Sequence, residues 1–156
     1  MMDKSAHNLY LSRLASGGFV VASVEYRTSN QGPYPMPLQD VKAAIRYLKA
    51  HADRFRINKE QMGVMGESAG GYLTCMAALD HDPALDVGEY LEESSEVQAA
   101  CPWYPPTDLS AFPCESAEQC ASSAESLLLG FNSKRNREKA YNCSPVSKVT
   151  KDAPPF

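Results

Sequence analysis

Histidine is scarce in this chain of 156 residues: His7, His51 and His81 are the only three. Any chemistry that needs an imidazole must be sought among them. The five cysteines (Cys75, Cys101, Cys114, Cys120, Cys143) include no Cys-x-x-Cys pair, which removes zinc-ribbon and thioredoxin-like readings. Cys114 and Cys120 flank a short loop, where a disulfide and two free thiols both stand as readings. No apolar run approaches the ~18 residues of a membrane span, and Met1-Met2-Asp3-Lys4-Ser5 holds no hydrophobic signal core. A basic stripe is missing too. The one cationic cluster, residues 134–139, is interrupted by Asn136 and Glu138. With a net charge of −4 it reads as a solvated helix face, which argues against nucleic acid as a partner. Neither a repeat nor a low-complexity linker divides the chain, so it reads as one domain, 44% hydrophobic, with enough apolar residues for a real core.

What is present is an alternation of two periods. Leu9, Leu11 and Leu14 predict a helix over residues 6–16, stopped by Gly17-Gly18. Phe19-Val20-Val21-Ala22-Ser23-Val24 is a nearly continuous apolar run, as in strands covered on both faces. After a turn-rich loop, Leu38, Val41, Ile45, Leu48 and Ala52 fall at helical spacing, with Pro37 suited to the first turn. Residues 61–65 read as a short strand. Leu73, Met76, Ala77 and Leu79 then mark another helix, and residues 97–101 a third strand, although Pro102 is awkward if that strand is central. Short helices are expected over 123–130 and 134–141, inside a lid-like segment at 110–141. Strands joined by crossover helices of this length imply an α/β fold with a parallel sheet and helices on both faces.

The most informative stretch is Gly66-Glu67-Ser68-Ala69-Gly70-Gly71. It fits Gly-x-Ser-x-Gly, the nucleophile elbow that sets a serine on a sharp turn between strand and helix. A random match occurs in about one chain of this size in twenty, so its placement between an apolar strand and an apolar-faced helix carries the reading. A tightly packed glycine turn and a phosphate cradle at a helix N-terminus are the rivals. In an elbow, Ser68 is pushed toward positive φ, and Gly66 and Gly70 keep the space beside it free. Ser68 would attack an acyl carbonyl while the Ala69 N–H, at the positive end of the next helix, receives the developing oxyanion. Gly71 lets that helix approach its surroundings closely. Glu67 reads as a structural or pocket-wall side chain.

These residues resemble those of the α/β-hydrolase esterases of the hormone-sensitive-lipase and feruloyl/acetyl esterase-like type. The resemblance runs through Val24-Glu25-Tyr26-Arg27, Tyr34-Pro35-Met36-Pro37 and the stretch from Asp40 to Leu48. It continues through the elbow, Trp103-Tyr104-Pro105-Pro106-Thr107-Asp108-Leu109, Ser144-Pro145-Val146 and Ala153-Pro154-Pro155-Phe156. It implies a partial α/β-hydrolase fold and hydrolysis of a small-molecule carboxylic ester through an acyl-enzyme, with no metal and no cofactor. The family's His-Gly-Gly oxyanion loop is absent, and its acid and histidine would follow Phe156. The chain is therefore expected to be the middle of an esterase, nearly inactive and unstable by itself.

Substitutes within the chain are few. His81 lies 13 residues after Ser68, on the order of 18 Å away at the far end of a helix. His51 ends another crossover helix and should share that wrong edge, while His7 begins the first helix on the catalytic edge. Asp108 follows the third strand on the correct edge, either as an acid or as the cap of a turn. Trp103 and Tyr104 read as pocket walls or as packing beside a strand end. Two rival functions stand beside the esterase: a non-catalytic binding or pseudoenzyme domain, and a serine peptidase of the prolyl-oligopeptidase type.

Overall fold

The computed structural model describes residues 8–113 and 115–156. His7 and the Cys114–Cys120 pairing lie outside the described residues. Helix α1 (Asn8–Ser16) ends as its glycines demand: Gly18 takes φ 93°, and the N–H groups of Gly17, Gly18 and Phe19 return to carbonyls of the last turns. Helix α2 (Met36–Ala50) has a proline in its first turn and buries Leu38, Val41 and Ile45, with His51 at its C-cap. A single further turn, α3 (Ala52–Phe55), ends at Arg56 in the left-handed region.

Strand β1 (Gly63–Glu67) runs directly into Ser68, and helix α4 (Ala69–Leu79) starts at the next residue. Strand β2 (Ala99–Trp103) pairs with β1 in parallel register, from Gly63 opposite Ala99 to Glu67 opposite Trp103. Both strands lie two residues later than the apolar runs suggested, because pairing extends through Gly66 and Pro102 to the sheet edge. Pro102 costs no bond to β1. Ala100, on the same side of the strand, turns its N–H away from β1 to the Pro155 carbonyl at 3.0 Å, so the missing N–H at Pro102 also faces away.

The run from Phe19 to Val24 is not a strand. Residues 19–28 have no regular structure, and Phe19 and Val20 are 68% and 57% exposed. An apolar strand is stabilised by cover on both faces and a ladder partner. Neither is present for this segment among the described residues, where the sheet has two strands.

The core gathers around α4, buried on all sides from Gly71 to Leu79. It packs on both strands and on α2, with Val64 and Ala100 from the sheet and Leu38, Val41 and Ile45 from α2 in the same cluster. Each large side chain so removed from water contributes roughly 1.5–3 kcal/mol. The opposite face of the strands, with Met65, Cys101 and Trp103, is exposed. The short helices α5 (Ala117–Ala121), α6 (Ala124–Leu129) and α7 (Arg137–Asn142) fall within residues 110–142. Leu129 and Ala140 join the α2–α4 core, the Tyr34 N–H donates to the Leu128 carbonyl at 2.7 Å, and Ser68 stays exposed.

Charges are buried on the flank of α2. Lys42, Arg46 and Lys49 are 1%, 0% and 5% exposed, and each holds the loop after α4. Lys42 donates to Ser95 Oγ at 3.0 Å, Arg46 pairs with Asp86, and Lys49 donates to the Glu96 carbonyl at 2.7 Å. Burial holds the Lys42 and Lys49 amines below their usual range.

Candidate active site

The site begins where both strands end. Ser68 takes φ 52°, ψ −116°, a conformation that side chains other than glycine avoid, directly between β1 and α4. Its N–H donates to the Trp103 carbonyl at 3.0 Å, which ties the turn to the end of β2. Space for the turn comes from two glycines. A Cβ on Gly66 would stand 2.5 Å from the Gly70 carbonyl oxygen and 3.0 Å from Thr74 Oγ1; one on Gly71 would stand 2.8 Å from the Trp103 carbonyl oxygen. Gly70 differs from the expectation: a Cβ there meets nothing within 4 Å. The second crowded position is Gly71, because the start of α4 passes against the strand end on that side.

Ala69 is the first residue of α4, so its N–H has no acceptor within the helix and sits at the positive end of the dipole. Ser68 and Ala69 thus place an exposed hydroxyl beside an uncommitted donor. An anionic oxygen bound there would be stabilised without rearrangement.

The family model of BD-FAE matches residues 2–156. The chain belongs to the BD-FAE family. Its relatives are esterases with the α/β-hydrolase fold. The chain is 32% identical over 152 residues to the probable carboxylic ester hydrolase LipM of Mycobacterium tuberculosis, covering 97% of this chain and 35% of LipM. Esterase LipC of the same organism is 31% identical, over 94% of this chain and 36% of LipC. Among solved structures, the bifunctional GH43-CE protein of Bacteroides eggerthii superposes with a TM-score of 0.87 at 28% identity, over 96% of this chain and 21% of that one. A truncated carbohydrate esterase from gut microbiota gives 0.73 at 28% identity, over 85% and 51%. The chain spans about a third of the length of the curated relatives it matches.

The remaining candidates of this BD-FAE chain separate into two groups. Glu67, Trp103 and Tyr104 share the sheet edge with Ser68, and the Tyr104 hydroxyl donates to Glu67 Oε2. That bond, more than burial, holds the Tyr104 phenol above its usual range. Trp103 is 51% exposed, and its Nε1–H points at Cys101 Sγ, 3.2 Å away. Asp108 caps a turn. It accepts from Ser110 N and Ser110 Oγ at 2.9 and 2.6 Å and from Ala111 N at 3.3 Å. Chiefly the Ser110 hydroxyl holds its carboxyl below the usual carboxylate range.

The histidines are elsewhere. His81 follows the far end of α4, with Nδ1 3.9 Å from Glu96. His51 is half-buried in an aromatic cluster rather than solvated, its ring 4.3 Å from Tyr47 and 5.2 Å from Tyr90, with Nδ1 on the Tyr47 carbonyl at 2.8 Å. Neither accompanies Ser68. No group of three or more His, Cys, Asp or Glu side chains arranged to hold a metal occurs among the described residues, and no helix there is long and apolar enough to cross a membrane.

The sequence did not reveal the bond from Tyr104 to Glu67, nor the pairing of Arg27 with Asp40 at 2.8 Å. Both members of that second pair stood in motifs already noted, but nothing in their spacing joined them.

Proposed function

We propose that Ser68 is the nucleophile of a carboxylic-ester hydrolase and that the Ala69 N–H is one oxyanion donor. The observation that carries this reading is the strained, exposed Ser68 between β1 and α4. In the reaction, Ser68 Oγ bonds to the carbonyl carbon and gives up its proton to a base. The carbonyl oxygen becomes anionic against the Ala69 N–H, and the alcohol leaves with a proton as the acyl-enzyme forms. Water then releases the acid and restores the hydroxyl. Glu67, Trp103 and Tyr104 line the approach to Ser68. Small esters are the proposed substrates, including acetyl or feruloyl groups on polysaccharides; the likeness to a carbohydrate esterase supports that class.

The test is labelling with a fluorophosphonate, together with hydrolysis of p-nitrophenyl acetate. The label should map to Ser68 in the whole protein and vanish in its Ser68→Ala variant. Wild-type turnover by that variant would sink the assignment. The second reading, a non-catalytic domain with Ser68 as a relic, is favoured by one observation: His51 and His81 both sit away from Ser68. Absence of label from the whole protein would support it.

A further inference from the structure

Aromatic rings gather where the strands end. Trp103 closes β2 opposite Glu67, its last register partner, and Tyr104 follows at φ 39°. Tyr10 on α1 is near enough to act electrostatically on the Tyr104 phenol. All three side chains are more than half exposed: Trp103 51%, Tyr104 66% and Tyr10 60%. Large aromatic side chains gain most by burial, so a cluster left open beside the proposed nucleophile has the character of a binding surface.

The backbone of Tyr104 sharpens the point. Positive φ is uncommon for a residue with a side chain, and it persists where contacts impose it. The hydroxyl bond to Glu67 is exposed and offsets little of that strain. Stability alone does not account for the turn. What the turn sets is direction. The Tyr104 side chain is laid across the strand ends to Glu67, the residue immediately before Ser68, while the Trp103 carbonyl, one residue before Tyr104, receives the Ser68 N–H at 3.0 Å. The ring is therefore spanned between two points that each adjoin the elbow. Pinned at both ends, it has little rotamer freedom left to lose when a flat ligand stacks on it.

We propose that the Tyr104 ring is a stacking surface beside Ser68 and sets the specificity of the site toward esters that carry an aromatic ring. This deepens the esterase reading and rests on Ser68 being the nucleophile. The Glu67 carboxylate at the edge of the ring sets the sign of the ligand: a neutral aromatic group is favoured over an anionic one.

Two variants of the whole protein test it, Y104F, which keeps the ring, and Y104L, which removes it. The first readout is kcat/KM for paired esters. Methyl cinnamate against methyl butyrate places the ring on the acid half, and benzyl acetate against ethyl acetate places it on the alcohol half. For at least one pair, Y104L should lower the aromatic-to-aliphatic ratio on the order of fivefold, the worth of an aromatic pair, and Y104F should keep most of the wild-type ratio. The pair that responds shows which half of the ester meets Tyr104. Unchanged ratios for both pairs in Y104L, or an equal loss in Y104F, overturn the proposal.

The second readout needs no turnover. With isotope-labelled tyrosine, the Tyr104 ring resonances, assigned by their loss in Y104F, should shift on addition of cinnamamide, a neutral aromatic amide. No shift overturns the stacking surface whether or not Ser68 takes a fluorophosphonate label. A shift in a protein that takes no label keeps the surface and removes the nucleophile.

Discussion

At the start of α4, Ser68 is exposed and fixed by backbone, its N–H on the Trp103 carbonyl; at the end of the same helix, Asp80 is buried and fixed by side chains. Lys148 Nζ lies 2.9 Å from Asp80 Oδ2, and the Tyr34 hydroxyl is at 3.5 Å. The α2 cations Lys42, Arg46 and Lys49 grip the loop that follows Asp80. The difference shows where each kind of order is useful. A proposed nucleophile has to remain open to substrate, and at Ser68 glycine packing and a strained turn set the position. The far end has no such need, and burying partnered charges there anchors the loop. Buried polar groups are tolerated only when paired, and among the described residues no buried side-chain nitrogen or oxygen is left without a partner.

The comparison can be broken hardest at Ser68. Replacing it with glycine should abolish labelling, yet raise stability by about 1 kcal/mol, because glycine adopts positive φ without strain. A Ser68→Gly protein less stable than wild type in urea titration would mean that the turn is not strained. At the other end, Arg46→Ala should lower stability by about 1–3 kcal/mol, since it removes a buried guanidinium and its bonds to the loop, while Asp86 is part-exposed and keeps Lys42 3.8 Å away. Labelling per folded molecule should stay near the wild-type rate. A strong loss of reactivity at full folding would couple the two ends and dissolve the contrast.

Smaller changes sharpen it. Gly66→Ala and Gly71→Ala should each cost about 1–3 kcal/mol through overpacking, whereas Gly70→Ala should be neutral or stabilising by up to about 1 kcal/mol. Equal losses at all three glycines would contradict the geometry of the turn. The smallest effect is expected at Asp108. Its carboxyl is held below the usual range, so its contribution is complete above the unfolded carboxylate value and fades as pH falls through the lower folded one. Asp108→Asn should unfold earlier than wild type at neutral pH, with the gap closing in acid; thermal melts across that range measure it.

Much of this was readable from residue order. The elbow could be found because its needs are local: two glycines, a serine and a change of period from strand to helix. The α/β class followed from the same alternation. What stayed hidden depended on partners distant in sequence. Lys42, Arg46 and Lys49 lie beside the apolar positions 38, 41 and 45, but a cation on a helix flank reads as solvated until the loop at residues 86–96 is seen to cover it. The run at residues 19–24 misled for the converse reason: its apolar residues describe a strand with cover that the described residues do not supply. Tyr104 reads as a pocket wall or as packing beside a strand end, since an aromatic residue carries no sign that its backbone will turn to positive φ and send its hydroxyl to Glu67.

Trp103 is the one tryptophan in the chain. Its carbonyl holds the Ser68 amide and its indole lies against the free, exposed thiol of Cys101. Intrinsic fluorescence is therefore a local signal here. An emission change that precedes the loss of helical circular dichroism would record the elbow fraying while α4 persists. Thiols quench indoles, so alkylating Cys101 should brighten the emission and report how open this edge is. The turn that carries Ser68 can be watched by its own light, with no probe attached.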